Sequence, residues 1–185
     1  MKTDVTKVMV EEHQLILRMI ALLESNTALM EEGKFRDWQF FLDGVDFIRH
    51  YADRFHHAKE EDVLFKALVK NGMPEQNSPV AAMLMAHDQG RAHVRAIEEA
   101  AQKALDGESG QLGVIAENAR GYAALLRDHI DKEDNILYPL AEKVLPEEMR
   151  PAMVEAYARA EAAAPADFTE RYRKLVEKYE ARLAA

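Results

Sequence analysis

The sequence predicts an all-α protein: an antiparallel up-down four-helix bundle with one or two extra C-terminal helices. Apolar residues recur at three- and four-residue intervals over long stretches, and no segment sustains the period-2 alternation of a half-buried strand. Helix-stop and helix-start residues punctuate the chain at regular intervals. Between them lie four stretches of about 28–35 residues, each roughly 40–50 Å of helix, joined by short connections that favour antiparallel neighbours.

The first helical pattern runs from about Asp4 to Glu32 and stops at Gly33, where a C-terminal cap belongs. A second runs from about Arg36 to Lys70 and ends at Asn71-Gly72. The third has a strong start, with Ser78 as N-cap and Pro79 at the first helical position, and it ends near Asp106-Gly107. The fourth runs from about Gly110 to Val144 and stops before Pro146; Pro139 is expected to kink or terminate its last turn. Residues 1–145 thus form the bundle and 146–185 a helical appendage. In that appendage Phe168, Tyr172, Leu175, Val176, Tyr179 and Leu183 share one face, after a capping-box-like Asp167-x-x-Glu170. That face either packs back on the bundle or joins two chains as a homodimer.

Composition removes several function classes. The 185 residues suffice to bury a core but include no cysteine, so disulfides, thiolate zinc sites, iron–sulfur clusters and cysteine nucleophiles are all excluded. Any metal must be held by His and carboxylates. A formal net charge of −9, with no basic stripe, argues against nucleic acid as a partner. The N-terminal MKTDVTKVMVEEHQ lacks the apolar run of a signal peptide, and no stretch of about 18 apolar residues could span a membrane. A cytoplasmic protein is expected.

The chemistry sits in an internal repeat. His56-His57-Ala58-Lys59-Glu60-Glu61-Asp62-Val63-Leu64-Phe65 overlays His129-Ile130-Asp131-Lys132-Glu133-Asp134-Asn135-Ile136-Leu137-Tyr138 without a gap. A further histidine precedes each copy at nearly the same distance: His13 lies 43 residues before His56, and His87 lies 42 before His129. The chain therefore reads as two helical hairpins of one design, each offering a His from its first helix and H-x-x-x-E from its second. Residues four apart share a helix face, so His56 and Glu60 point together, as do His129 and Glu133. Those faces are apolar: Val45, Ile48, Ala52 and Leu64 accompany the first pair, and Tyr122, Leu126, Ile136 and Leu137 the second. A bare carboxylate among apolar side chains costs several kcal/mol unless it is paired or coordinated. Two carboxylates and four imidazoles aimed inward from four helices require a common partner, and a pair of divalent metals satisfies them.

The remaining histidines fall outside this pattern. His50 and His57 share a stripe with Asp53, Arg54 and Glu61, which reads as solvent-facing, although His57 and Glu61 also have the i, i+4 spacing. His93 lies about 240° around the helix from His87 and reads as a boundary residue. Tyr122 is the redox-capable side chain that helical spacing places nearest His129.

Imidazole and carboxylate without thiolate suit iron, manganese or zinc. Ferritin-like bundles carry E-x-x-H, which is absent here; the order is H-x-x-x-E, twice. With His13 in EEHQLI, His56 and Glu60 in HHAKEEDVLF, His87 in AHDQGRAHV, and His129 and Glu133 in HIDKEDNILYP, the sequence resembles the hemerythrin-like HHE cation-binding family over roughly residues 5–143. The resemblance implies two non-haem iron ions in a four-helix bundle, bridged by the carboxylates of Glu60 and Glu133 and by an oxo or hydroxo group. His13, His56, His87 and His129 would be the terminal ligands. The oxygen-carrying members use a fifth histidine four residues after the first on the third helix, where this chain has Arg91. The resemblance therefore implies binding or sensing of oxygen, nitric oxide or redox state at an open iron position. Peroxidase-like or iron-centre repair activity is the enzymatic alternative, and a helical interaction protein with a structural metal the third.

Overall fold

The structure, a computed structural model, describes residues 3–184 and is all-helical. Helix α1 spans Lys7–Glu31. It starts after Asp4, whose carboxylate accepts hydrogen bonds from the backbone of Thr6 and Lys7 at 2.9 Å each, and so satisfies N–H groups that the helix cannot. It stops at Gly33, whose φ of +73° turns the chain so that the Lys34 N–H donates back to the Leu29 carbonyl. Helix α2 spans residues 38–70, with the Asp37 side chain capping Phe40 N–H. Helix α3 is Pro79–Leu105, capped by Ser78 as its sequence predicts. Helix α4 spans residues 111–144, α5 is Arg150–Ala162 and α6 is Phe168–Leu183.

Cross-helix contacts fix how the first four pack. Moving forward along α1, Glu12 meets His56 and Leu23 meets Gly44; moving forward along α2, Arg49 meets Glu98 and Glu61 meets His87. His87 meets His129 and His93 meets Asn118, while α1 returns to α4 through His13–Asp134, Glu24–Arg127 and Glu31–Arg120. Each neighbouring pair therefore runs in opposite directions.

Two of the long helices are not uniformly α. In α2, π-helical winding covers Ile48–His57 and Glu60–Leu64; in α4 it covers Glu133–Leu137. All three stretches carry or adjoin the histidines and glutamates of the repeat. Such i→i+5 turns are wider than α turns and cluster at functional sites. The last of them overturns one half of the expectation for Pro139, that it ends the helix. The helix runs through this proline to Val144, because the Tyr138 N–H already reaches back five residues to the Glu133 carbonyl and Pro139 only opens the next α segment.

The apolar interior falls into two clusters. The larger holds Ile16, Ile20, Phe40, Phe41, Ala52, Ile97, Ile115, Tyr122 and Leu126, and α6 joins it through Tyr172, Val176 and Tyr179. The smaller holds Met9, Leu64, Phe65, Val80, Leu137 and Tyr138, and α5 joins it through Met153 and Tyr157. Helix α6 lies on α1 and α2, tied by Arg18–Glu180 (2.7 Å), Tyr179–Asp43 (2.6 Å) and Tyr172–Asp46 (2.9 Å). The capping box expected at its start does not form; the Asp167 side chain makes no cap bond. Buried Arg150 anchors α5 by donating to the carbonyls of Thr3, Glu142 and Leu145. Among the described residues no helix is long and apolar enough to cross a membrane.

Candidate metal centre

Between the two apolar clusters lies a polar layer. His13, His56, Glu60, His87, His129 and Glu133 all converge there, each no more than 2% exposed. Their donor atoms fall into two groups, each within 4.8 Å: His13, His56, Glu60 and Glu133 form one, and His57, Glu60, His87 and His129 the other. Glu60 belongs to both. Glu133 spans them, with Oε2 at 3.4 Å from His13 Nε2 and Oε1 at 3.2 Å from His129 Nε2.

The surprise is His57. The expected solvent-facing position is overturned: this side chain is buried and its ring stacks on His87 at 3.7 Å. The π winding of α2 is the cause. In an α-helix His57 would be rotated about 100° from His56, but from Ile48 the buried residues recur as Ile48, Tyr51, Ala52, His56 and His57, a spacing wider than α. Both adjacent imidazoles thereby face the layer. Arg91, at the fifth-histidine position, lies outside it, donating to Asp53 and Glu61. His50 bonds its own helix at Asp46, and His93 bonds Asn118; neither reaches the groups.

Around the ring nitrogens stands a second set of partners, arranged crosswise between the hairpins. His13 Nδ1 bonds Asp134 at 2.8 Å, and His87 Nδ1 bonds Glu61 at 2.7 Å; these acids occupy the same place in the repeat. The two aromatic repeat positions behave likewise, with Tyr138 stacked on His13 and Phe65 on His87. The Tyr138 hydroxyl also donates to Glu60 Oε1. One arm breaks the symmetry. His56 Nδ1 bonds Glu12 at 2.8 Å, and Glu12 also bonds buried Lys59, but Ala86 stands at the corresponding place in α3 and His129 Nδ1 has no partner among the described residues. Carboxylates of this kind orient ligating imidazoles and raise their basicity.

The donor set fits metal ions. Proton donation from Nδ1 to Asp134 and to Glu12 leaves Nε2 of both His13 and His56 as bare lone pairs, yet these two atoms face each other at 3.0 Å. Two lone pairs at that distance repel unless a cation lies against both, and nitrogens sharing one ion at about 2.1 Å sit roughly 3 Å apart. Glu60 Oε2, both Glu133 oxygens and His129 Nδ1 are buried without a hydrogen-bond partner among the described residues. Each such group costs about 1–3 kcal/mol if nothing compensates it.

Protonation follows the same geometry. Burial alone would raise Glu60, but the imidazoles of His56, His87 and His57 hold it well below the usual carboxylate range. Burial and the neighbouring Glu60 charge push Glu133 well above it. Burial drives His129 down to about 2 and, with His87 beside it, His57 down to about 4, which keeps both in the neutral, ligating form.

Against known families, residues 4–141 match the family described as the Hemerythrin HHE cation binding domain. The chain belongs to that family. No match is found among curated proteins or among solved structures. The matched span contains all six predicted residues of the layer, and the layer also carries His57 as an additional inward imidazole. Tyr138 and Glu12 escaped the sequence reading as well. The repeat did mark Tyr138, through its shared aromatic position, whereas Glu12 in EEHQ reads like any helix-surface acid.

Proposed function

We propose that this hemerythrin-like chain is a cytoplasmic non-haem di-iron protein that binds or senses oxygen, nitric oxide or redox state. One observation carries the reading: two buried groups of four ligand residues share Glu60 and are spanned by Glu133, with imidazole and carboxylate donors only. His13, His56, Glu60 and Glu133 would hold one iron, and His87, His129, Glu60 and Glu133 the other, with His57 beside the second. Paired iron with oxygen and nitrogen ligands supplies reversible electron exchange with small diatomic molecules. The chain's own residues orient the imidazoles through Asp134, Glu12 and Glu61, exclude water with the apolar clusters on either side, and hold a proton on the Tyr138 hydroxyl against Glu60. Burial and the two carboxylates raise Tyr138 well above its ordinary range, so it is a proton donor and not a phenolate.

The decisive experiment is metal analysis combined with spectroscopy of the full chain. Two irons per chain with oxo-bridge charge-transfer bands in the near ultraviolet, and rapid spectral change when the reduced protein meets oxygen or nitric oxide, are expected. Zinc alone, or no reaction with either gas, would overturn the proposal. Peroxide turnover abolished by His129→Ala would instead favour the peroxidase-like alternative.

A further inference from the structure

The two repeat copies differ at one buried place. His57 in α2 corresponds to Ile130 in α4, and both side chains are buried. Ile130 adds to the larger apolar cluster, whereas His57 turns into the polar layer, its donor within 4.8 Å of those of Glu60, His87 and His129. Its Nδ1 bonds Asp53 at 3.3 Å, and that is its one hydrogen bond among the described residues. An imidazole that donates from Nδ1 to a carboxylate offers a lone pair at Nε2. Behind Asp53 stands Arg91, which donates to both of its oxygens and, at 2.7 Å, to Glu61, the acid that holds His87 Nδ1. Arg91 thus braces the partners of two imidazoles without reaching the layer itself.

Given the paired metal centre proposed above, we infer that His57 ligates the second ion through Nε2, with Arg91 as the positioning residue that aims His57 and His87. The chain neighbours His56 and His57 then serve different ions, which the π winding of α2 makes possible. Glu133 reaches both groups, so the second ion has five donor side chains, His57, His87, His129, Glu60 and Glu133, against four for the first. The first has no third imidazole because Ile130 stands where His57 would be repeated. In six-coordinate geometry the two ions are therefore unequal, with more room for an outside ligand at the first. Carboxylates behind a ligating imidazole fix its orientation and tautomer, and a guanidinium that grips both carboxylates fixes them in turn.

Proton–cadmium correlation spectra of the full chain loaded with cadmium-113 count the imidazoles on each ion without any dependence on iron chemistry. Ring protons of three histidines coupled to one cadmium and of two to the other are expected, and two on each in His57→Ile. That variant installs the residue which the other copy carries at the same place, and the count in the parent needs no variant at all. In zinc titrations against a competing chelator, His57→Ile should weaken one ion at least about tenfold and leave the other unchanged. Arg91→Ala should weaken the same ion by about threefold or more, and His50→Ala, on the same helix but outside the layer, neither. Two imidazoles on each cadmium in the parent, or parent affinity for both zinc ions in His57→Ile, would overturn the inference. That result would leave the gas-binding reading untouched, because stopped-flow mixing of the iron form with oxygen tests it separately.

Discussion

At the scale of single residues the two repeat copies supply internal controls for each other. Lys59 and Lys132 hold equivalent places, yet Lys59 is buried against Glu12, Glu161 and the Phe55 ring, while Lys132 is half exposed and merely pairs with Asp128. The difference follows from Glu12, which has Ala86 as its counterpart. Removing one partner of a buried ion pair typically costs about 3–5 kcal/mol, whereas exposed pairs contribute roughly 0–1 kcal/mol. Lys59→Met should therefore lower stability in urea unfolding by about 3 kcal/mol, and Lys132→Met by less than about 0.5 kcal/mol. Equal losses would mean that Glu12 is not held by Lys59. Gly121 gives a second case. A Cβ there would lie 2.7 Å from the His93 ring, which Asn118 holds in place. Gly121→Ala should destabilise the chain by about 1–3 kcal/mol despite the helix-propensity gain of about 1 kcal/mol, as overpacking does. Adding His93→Ala should restore the parent's melting temperature or exceed it; if the double variant stays as unstable as Gly121→Ala, the close approach is not the cause.

The helices were legible wherever a local residue sets the boundary. Gly33, Asn71-Gly72, Ser78-Pro79 and Pro146 each act within a few residues of themselves, and the structure ends or starts helices there. The site was legible because the repeat aligned six residues on apolar faces. What escaped was the π winding: it depends on which wide turns the packed interior tolerates, and no residue type announces it. That one departure hid His57 and made Ile136 look inward, although it is 59% exposed. Tertiary docking of α6 was equally silent, since its apolar face fits a bundle or a second chain alike. Its polar ties carry a pH signature. Although burial would raise it, Asp43 sits below its ordinary range because Tyr179, Gln39 and Lys178 donate to it. Tyr179 is raised by burial and by Asp43, and Tyr172 is pushed up to about 12 by burial and Asp46. A depressed carboxylate stabilises fully above its unfolded value near 3.8 and loses that contribution as pH falls through its lower folded value. A raised phenol stabilises fully below its unfolded value near 10.0 and loses that contribution as pH rises towards its folded one. Hydrogen exchange of α6 amides, corrected for intrinsic rate, should thus be slowest between about pH 5 and 9 and speed up on both sides. Tyr179→Phe should flatten the alkaline limb; an unchanged alkaline limb in that variant would remove Tyr179 from the account.

For the molecule as a whole, the polar layer divides one bundle into two unequal apolar bodies. The larger, with the side chains of Phe40, Phe41, Ile97, Ile115 and Tyr122 and the cover of α6, draws on all four long helices. The smaller, around Leu64, Phe65, Val80, Leu137 and Tyr138, lies at the other end under α5. Its joints to the rest pass through the layer itself: Tyr138 to Glu60, Phe65 against His87, and Lys59 to Glu161. Metal ions bound there would satisfy Glu60 Oε2 and both Glu133 oxygens, which are buried without a hydrogen-bond partner among the described residues. Ligand linkage sets the size of the effect. Metal at 100 times its dissociation constant stabilises by about 2.7 kcal/mol, and in a chain of 150–250 residues each kcal/mol moves the melting temperature by about 2–4 °C. Chelation should accordingly lower Tm by roughly 5–11 °C. The loss should also be uneven. Amides of residues 60–68 and 137–144 should lose more hydrogen-exchange protection than those of residues 16–23 and 115–123, because only the smaller body depends on the layer for its attachment. Equal loss at both ends would show the bundle to be a single cooperative unit, with metal stabilising it globally and not at that joint.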